Sequence, residues 1–141
     1  MKRNAAAVWQ GGLKDGSGTI SSESGVIANA QYSFGTRFEQ GTGTNPEELL
    51  AAAHAGCYSM ALSLVLGESQ ITPERIDTTA TVTIEPSDDG FTITAVHLDV
   101  HARVPGVDRE VFETAANNAK AGCPVSKLFN AEITLDAHLE A

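Results

Sequence analysis

The stretch 45-NPEELLAAAHAGCYSMALSLVLG-67 decides the fold, because it predicts one long helix through the middle of the chain. Asn45 suits the N-cap, Pro46 the first helical position, and Glu48 the acidic position of a capping box. The alanine and leucine residues that follow favour helix. Gly67 is expected to adopt the left-handed conformation that ends the helix.

Nearly every face of this predicted helix is apolar, so it must be covered on all sides. One small sheet and one other helix in 141 residues would not suffice, and we therefore predict a homodimer. The run is apolar enough to be tested as a membrane span, but residues such as His54, Cys57 and Ser59 interrupt it. We expect a buried helix of a soluble protein.

Strand and turn patterns surround the long helix. A hairpin is predicted around the glycine-rich turn 11–16, a further run covers Ala28 to Phe38, and a second hairpin precedes a helix that Asp108 caps and Gly122 ends. The predicted strands and the second helix are 5–10, 18–22, 76–85, 91–103, 109–121 (helix) and 133–139. This order predicts an α+β fold, and residues 1–141 are interpreted as a single domain.

The charge balance excludes two classes of partner. Eighteen acidic and nine basic residues give a formal net charge of −9, which repels phosphate backbones and anionic lipid surfaces. We therefore expect neither nucleic acid nor membrane as a partner. The first ten residues do not have the pattern of a secretory signal, so a cytoplasmic location is expected.

The two cysteines, Cys57 and Cys123, are 66 positions apart, which is neither a disulfide framework nor a Cys-x-x-Cys motif. They are either inert core thiols or one redox couple. Cys123 precedes Pro124 at the start of a predicted helical turn, where free backbone N–H groups and the helix dipole favour a thiolate. Cys57 lies in the middle of the long helix, where a small buried hydrophobe is the simpler interpretation.

Arg37 and Glu47 are candidates for a charged pair beside a reactive cysteine. Because Glu48 already fills the capping-box position, Glu47 has no required local role. If the two residues pair, the guanidinium is fixed and offers its other donors to a thiolate and a peroxide oxygen. On one helix Glu47 and Cys57 are roughly 15 Å apart, so we propose that Glu47 of one subunit approaches Cys57 of the other.

The histidines predict a metal site only weakly. His54 is one helical turn before Cys57, as two ligands of one ion would be, but a lone histidine in such a helix is usually packed and hydrogen-bonded. His97 and His101 share a strand face but lie roughly 13 Å apart, too far to bind one ion. No metal and no other cofactor is expected.

The blocks Phe34-Gly35-Thr36-Arg37-Phe38-Glu39, Thr44-Asn45-Pro46-Glu47-Glu48-Leu49, Ala53-His54-Ala55-Gly56-Cys57 and Ala119-Lys120-Ala121-Gly122-Cys123-Pro124-Val125-Ser126 resemble the OsmC/Ohr family. The arginine block and the final segment 131–136 are more similar to the OsmC branch. The resemblance covers nearly the whole chain. It implies an intertwined dimer, with antiparallel sheets wrapped around two long central helices.

The resemblance also implies a function, the thiol-dependent reduction of organic hydroperoxides. Cys57 would be the peroxidatic residue and Cys123 the resolving one, while Arg37 and Glu47 would activate the site. A dithiol such as dihydrolipoamide would be the reductant. Pocket-lining roles are expected for Phe34, Phe38, Met60 and Phe129.

Two other functions remain open at the level of sequence. The chain could be a binding module whose apolar pocket holds a lipid-like ligand, with incidental core cysteines. It could also be a metal-dependent hydrolase that uses His54 and the thiols.

Overall fold

The computed structural model describes residues 1–140, so Ala141, the last residue of the expected single domain, lies outside the described residues. Six strands and four helices follow one another, and this α+β class agrees with the prediction. They are β1 (Ala5–Gln10), β2 (Ser17–Ser22), β3 (Ala30–Tyr32), α1 (Phe34–Phe38), α2 (Pro46–Glu68), β4 (Arg75–Ser87), β5 (Gly90–Arg103), α3 (Arg109–Gly122), α4 (Pro124–Leu128) and β6 (Glu132–Glu140). The chain divides into two compact units, Met1–Leu49 and the part that follows from Leu50.

The first unit contains an antiparallel sheet in the order β1-β2-β3. The strand predicted for Ala28 to Phe38 is wrong in its second half, because β3 ends at Tyr32 and α1 begins at Phe34. The cause is a local capping box: the Ser33 hydroxyl accepts from the Thr36 N–H, and the Thr36 hydroxyl accepts from the Ser33 N–H.

Helix α2 begins as predicted and ends later than predicted. The Asn45 side chain accepts from the Glu48 N–H at 2.7 Å, although the Glu48 carboxylate accepts from the Thr44 hydroxyl rather than from the Asn45 backbone. At the other end the N–H of Ile71 donates to the carbonyl of Leu66, and that of Gln70 to the carbonyl of Gly67.

This bonding pattern is a Schellman motif, and its left-handed position is Gln70, with φ of 60°. The prediction that Gly67 ends the helix is therefore wrong. Ile71 packs against the core, and this contact stabilises the motif although the left-handed residue is not glycine.

The second unit contains a sheet in the order β4-β5-β6. β4 and β5 form the predicted antiparallel hairpin, with Gly90 at φ of 115° in its turn. β6 pairs parallel to β5, so this sheet is mixed and the expectation of wholly antiparallel sheets is corrected. The reason is the connection: α3 and α4 lie between the two strands, and such a helical crossover returns the chain in the same direction.

The core of the second unit lies between one face of this sheet and the helices. Val96, Leu98 and Val100 alternate along β5 and are buried there with Tyr58 and Leu62 of α2.

The spacing of four apolar residues in the sequence, Val111, Phe112, Ala115 and Ala119, predicts one buried stripe on α3. Phe112, Ala115 and Ala119 face this core as predicted, whereas Val111 is exposed and Ala116 takes its place.

Hydrogen bonds of Tyr58 and His54 attach α2 to α3 and α4. The Tyr58 hydroxyl donates to the carbonyl of Ala116 at 3.0 Å. His54, which is fully buried, has its Nε2 2.7 Å from the hydroxyl of Ser126 and packs edge-on against Phe129. His54 is thus the packed, hydrogen-bonded histidine that the sequence predicts, and its burial lowers its pKa, which keeps the imidazole neutral.

Helix α2 is long and apolar enough to cross a membrane by length and composition, a test that core helices of soluble proteins also pass. In the most apolar 18-residue stretch of α2, only 22% is buried within the single chain. The single chain therefore leaves much of the apolar surface of α2 uncovered.

Leu62→Ala should lower the free energy of unfolding by about 2–5 kcal/mol, because it opens a cavity in the core beneath α2. Ser63→Ala is the matched control on the exposed side of the same helix and should change stability by less than about 0.5 kcal/mol. Urea titrations at one fixed protein concentration measure both values. Equal values for the two variants would contradict this description of the core.

Candidate active site

The two cysteines, distant in sequence, come together in the second unit. Cys57 lies at the middle of α2 and is partly exposed, whereas Cys123 is the fully buried N-cap of α4. The Cys57 thiol interacts with the Cys123 side chain. Both are free thiols in this structure, so the arrangement is that of a reduced pair whose sulfurs are neighbours.

The surroundings of Cys57 act on its ionisation in opposite directions. Burial raises the pKa of the Cys57 thiol, and the Cys123 side chain raises it further, while the backbone N–H of Val125 donates to the sulfur and lowers it. The net direction is upward. Within the second unit, therefore, Cys57 is favoured as a thiol, and a reactive thiolate needs a further positive group.

The backbone donor is a residue that sequence reasoning missed. The N–H groups at the start of α4 were expected to act on Cys123, but the Val125 N–H is directed at Cys57. The signal was present in the sequence, since Pro124 marks the first helical turn and leaves the next amide without a helical partner. Which sulfur accepts a hydrogen bond from that amide depends on how α2 packs against α4.

Arg37 and Glu47 form the predicted pair in the first unit. The guanidinium Nε donates to both carboxylate oxygens at 3.0 and 3.3 Å, and Nη2 donates to Oε1 at 2.8 Å. Glu47 is 8% exposed and Arg37 37% exposed at the side chain, so the carboxylate is a buried anchor and the cation reaches the surface. Because these bonds use Nε and Nη2, the Nη1 donors remain available for another acceptor.

Helix geometry explains why the pair forms. Glu47 lies in the first turn of α2, and Arg37 lies in the last turn of α1. The Asn45 amide donates to the carbonyl of Thr36 at 2.9 Å and so ties the start of α2 to α1. The guanidinium also stacks over the ring of Phe38, with its central carbon 5.2 Å from the ring centroid.

An apolar cavity of about 270 Å³ opens beside this arginine. Most of its lining side chains are aromatic or aliphatic, and Arg37 is the charged one among them. The lining residues are Trp9, Leu13, Tyr32, Ser33, Phe34, Arg37, Phe38 and Pro46.

The residues expected to line a pocket are only partly found here. Phe34 and Phe38 line this cavity, as predicted. Met60 is an exposed residue of α2, and Phe129 packs against His54 in the second unit, so neither lines this cavity in the single chain.

The structure therefore brings two pairs of predicted site residues into contact. One is the neighbouring thiols Cys57 and Cys123, and the other is the oriented cation Arg37 with its anchor Glu47. His54, the weak metal candidate, bonds Ser126 instead and belongs to no group of three candidate ligands among residues 1–140.

The family model of the OsmC-like proteins matches residues 39–138. Peroxiredoxin OsmC of Escherichia coli K12 is 52% identical over 141 residues, which is all of this chain and 99% of the relative.

Solved structures agree with the sequence match. The crystal structure of an organic hydroperoxide resistance protein from Elizabethkingia anophelis superposes with a TM-score of 0.70 at 28% identity and covers 99% of both chains. An OsmC-like protein from Mycoplasma pneumoniae, 17% identical, has the same fold with a TM-score of 0.77 over 100% of this chain and 99% of its own. The resemblance in the arginine and cysteine blocks is thus confirmed along the whole chain, which belongs to the OsmC family.

Proposed function

We propose that this chain is a thiol-dependent peroxidase that reduces organic hydroperoxides to alcohols. The observation that carries the proposal is the direct interaction of Cys57 with Cys123, two sulfurs 66 positions apart in sequence. The name of the E. coli relative, a peroxiredoxin, and that of the E. anophelis protein, an organic hydroperoxide resistance protein, support the same class of reaction.

Cys57 is the better candidate for the attacking residue, because it is partly exposed while Cys123 is fully buried. Its thiolate would attack the distal oxygen of the hydroperoxide, and the O–O bond would break. The alkoxide would leave, take up a proton and become the alcohol, while the sulfur would be oxidised to a sulfenic acid.

Arg37 and Glu47 are the candidates for activating this attack. Since burial and Cys123 raise the pKa of the Cys57 thiol, a nearby guanidinium would favour the thiolate. Its remaining donors would also orient the peroxide and stabilise the departing alkoxide. Glu47 would hold the guanidinium in one orientation through the bonds from Nε and Nη2.

The cavity beside Arg37 suggests why the substrate would be organic. Its aromatic walls favour an alkyl or aryl group over water, while Arg37 offers a polar contact to the peroxide end. Hydrogen peroxide would gain only the polar contact.

Cys123 would complete the oxidative half of the cycle. Its thiol would condense with the Cys57 sulfenic acid to give a disulfide and one water. An external dithiol such as dihydrolipoamide would reopen this disulfide by exchange and become oxidised itself. This sequence of steps needs no metal, flavin or nicotinamide.

The cycle is proposed to run in a homodimer in the cytoplasm. Met60 and Leu64 of α2 are 77% and 67% exposed in the single chain, and a second copy would cover such large apolar side chains. Glu47 and Cys57 are ten positions apart on one helix, so a shared site would place Glu47 of one subunit near Cys57 of the other. The cytoplasm would keep both cysteines reduced between turnovers.

Cys57→Ser should abolish reduction of cumene hydroperoxide, because the serine hydroxyl is not an ionised nucleophile at neutral pH. Cys123→Ser should keep one stoichiometric turnover but lose turnover with a dithiol. Peroxide consumption and trapping of the sulfenic acid by dimedone measure both effects. Unchanged turnover in folded Cys57→Ser would favour the alternative function, a binding module for an apolar ligand.

Arg37→Gln should shift the pH profile of Cys57 alkylation upward by about one to three units, because a neighbouring cation lowers a thiol pKa by that amount. The parent and the Arg37→Gln variant both also carry Cys123→Ser, so that alkylation by iodoacetamide measures Cys57 alone. The matched variant Arg37→Lys should give a smaller upward shift, since lysine keeps the positive charge but loses the planar, two-donor geometry of the guanidinium. Identical pH profiles of Cys57 alkylation in the parent and in Arg37→Gln would exclude Arg37 from the site.

Met60→Glu combined with Leu64→Glu should lower the apparent mass from dimer to monomer in analytical ultracentrifugation, because two carboxylates would be buried at the interface. The control is Lys127→Glu, an exposed change outside α2. A wild-type protein that sediments as a monomer would contradict the proposed dimer.

A further inference from the structure

The outer face of the sheet in the second unit carries a cluster of histidines and aspartates that the peroxidase cycle does not use. Side chains alternate along a strand, so His97, Asp99 and His101 of β5 point away from the core formed by Val96, Leu98 and Val100. This face is therefore separated from the cysteines by the sheet itself, since Cys123 belongs to that core.

The parallel pairing of β5 with β6 brings residues of the two strands side by side. His101 is in register with His138, and Asp99 with Asp136. His97 and His101 share a strand, whereas the neighbour of His101 across the sheet is His138. Because His138 is 37 positions after His101 in the chain, local spacing does not reveal this pairing.

The Asp99 carboxylate contacts both imidazoles at their Nε2 atoms. Its Oδ1 is 3.0 Å from Nε2 of His138, and its Oδ2 is 3.3 Å from Nε2 of His101. The two rings stack at a centroid distance of 4.4 Å, with an interplanar angle of 14°. One ligand atom from each of the three residues lies within 4.8 Å of the others.

These separations are close to those of a tetrahedral zinc site. Zinc bonds to nitrogen and oxygen measure about 2.0–2.2 Å, so adjacent ligand atoms of a tetrahedron are about 3.3–3.5 Å apart. The two contacts of Asp99, each made by a different carboxylate oxygen, are near that value. The ligand nitrogens of His101 and His138 are no more than 4.8 Å apart, and the two exposed rings must leave their stacked arrangement for both nitrogens to face one ion.

Nearby charge favours a cation at this place. Asp136 lies beside Asp99, whereas Asp77 of β4, in register with His101 on the other side, is already paired with Arg75 at 2.6 Å. Asp136 is held by His97, whose Nε2 is 3.1 Å from its carboxylate. The chain as a whole has a net charge of −9, which also attracts a divalent ion.

We propose that Asp99, His101 and His138 bind one Zn²⁺ ion on the outer face of the sheet. Neutral imidazole and carboxylate are ligands that suit this ion, and three protein ligands leave the fourth position to water. Asp136 lies next to the ligands and stabilises the charge of the bound ion. The site is distinct from the cysteine pair and does not depend on the peroxidase cycle.

The test is calorimetric titration of ZnCl₂ into chelator-treated, untagged protein that carries Cys57→Ser and Cys123→Ser. The double substitution removes the thiols, which also bind zinc. One ion should bind per chain. His101→Gln and His138→Gln should each weaken binding by at least about tenfold, since loss of a ligand costs no less than loss of a supporting residue.

His97→Gln is the matched control, because it changes a histidine of the same face that lies outside the ligand set. It should bind zinc with an affinity within a few-fold of the parent. The three histidine positions are exposed or half-buried, so their substitutions are expected to leave the fold of the parent unchanged, and circular dichroism checks this.

Cobalt substitution gives a second measurement. Co²⁺ bound at this site should show the visible absorption of a tetrahedral ion in the parent and in His97→Gln, and lose it in the two ligand variants. Failure of the parent to bind zinc, or parent-like affinity in either ligand variant, would overturn the proposal. The peroxidase assay of the native protein is independent of both outcomes.

Discussion

The attachment of α2 to the corner between α3 and α4 is the constraint on which the cysteine pair depends. Tyr58 bonds a carbonyl of α3, and His54 bonds Ser126 of α4, so one hydrogen bond lies on each side of Cys57 along the helix. Both are buried, where a polar group left unpaired is costly. Rotation or sliding of α2 would break them, and Cys57 therefore stays beside Cys123.

The parts of the fold that depend on neighbouring residues were predictable from the sequence. Asn45 caps α2 as its type suggests, because this preference acts over three residues, and α3 ends at Gly122 as predicted, although this glycine is not left-handed. The errors arose where a second local pattern competed. Ser33 and Thr36 start a helix inside an apparent strand, and Leu66 with Ile71 completes a Schellman motif beyond the expected glycine.

The parts that depend on pairing between distant segments were predictable only through family resemblance or not at all. The contact of Cys57 with Cys123 and the parallel register of β6 both follow from how α3 and α4 cross the sheet, which no local spacing encodes. The pairing of Arg37 with Glu47 was anticipated because Glu47 lacked a capping role, an argument from residues close in sequence. The direction of the Val125 amide required the packed structure.

The unequal accessibility of the two sulfurs gives the regeneration step a direction. In a disulfide between them, an incoming reductant would reach the sulfur of Cys57, since Cys123 is sealed within the core. Attack there would form the mixed disulfide on α2 and expel Cys123 as the leaving thiolate. The fold would thus fix which half of the bond is cleaved by the donor, and select slender, flexible dithiols over bulky protein thiols.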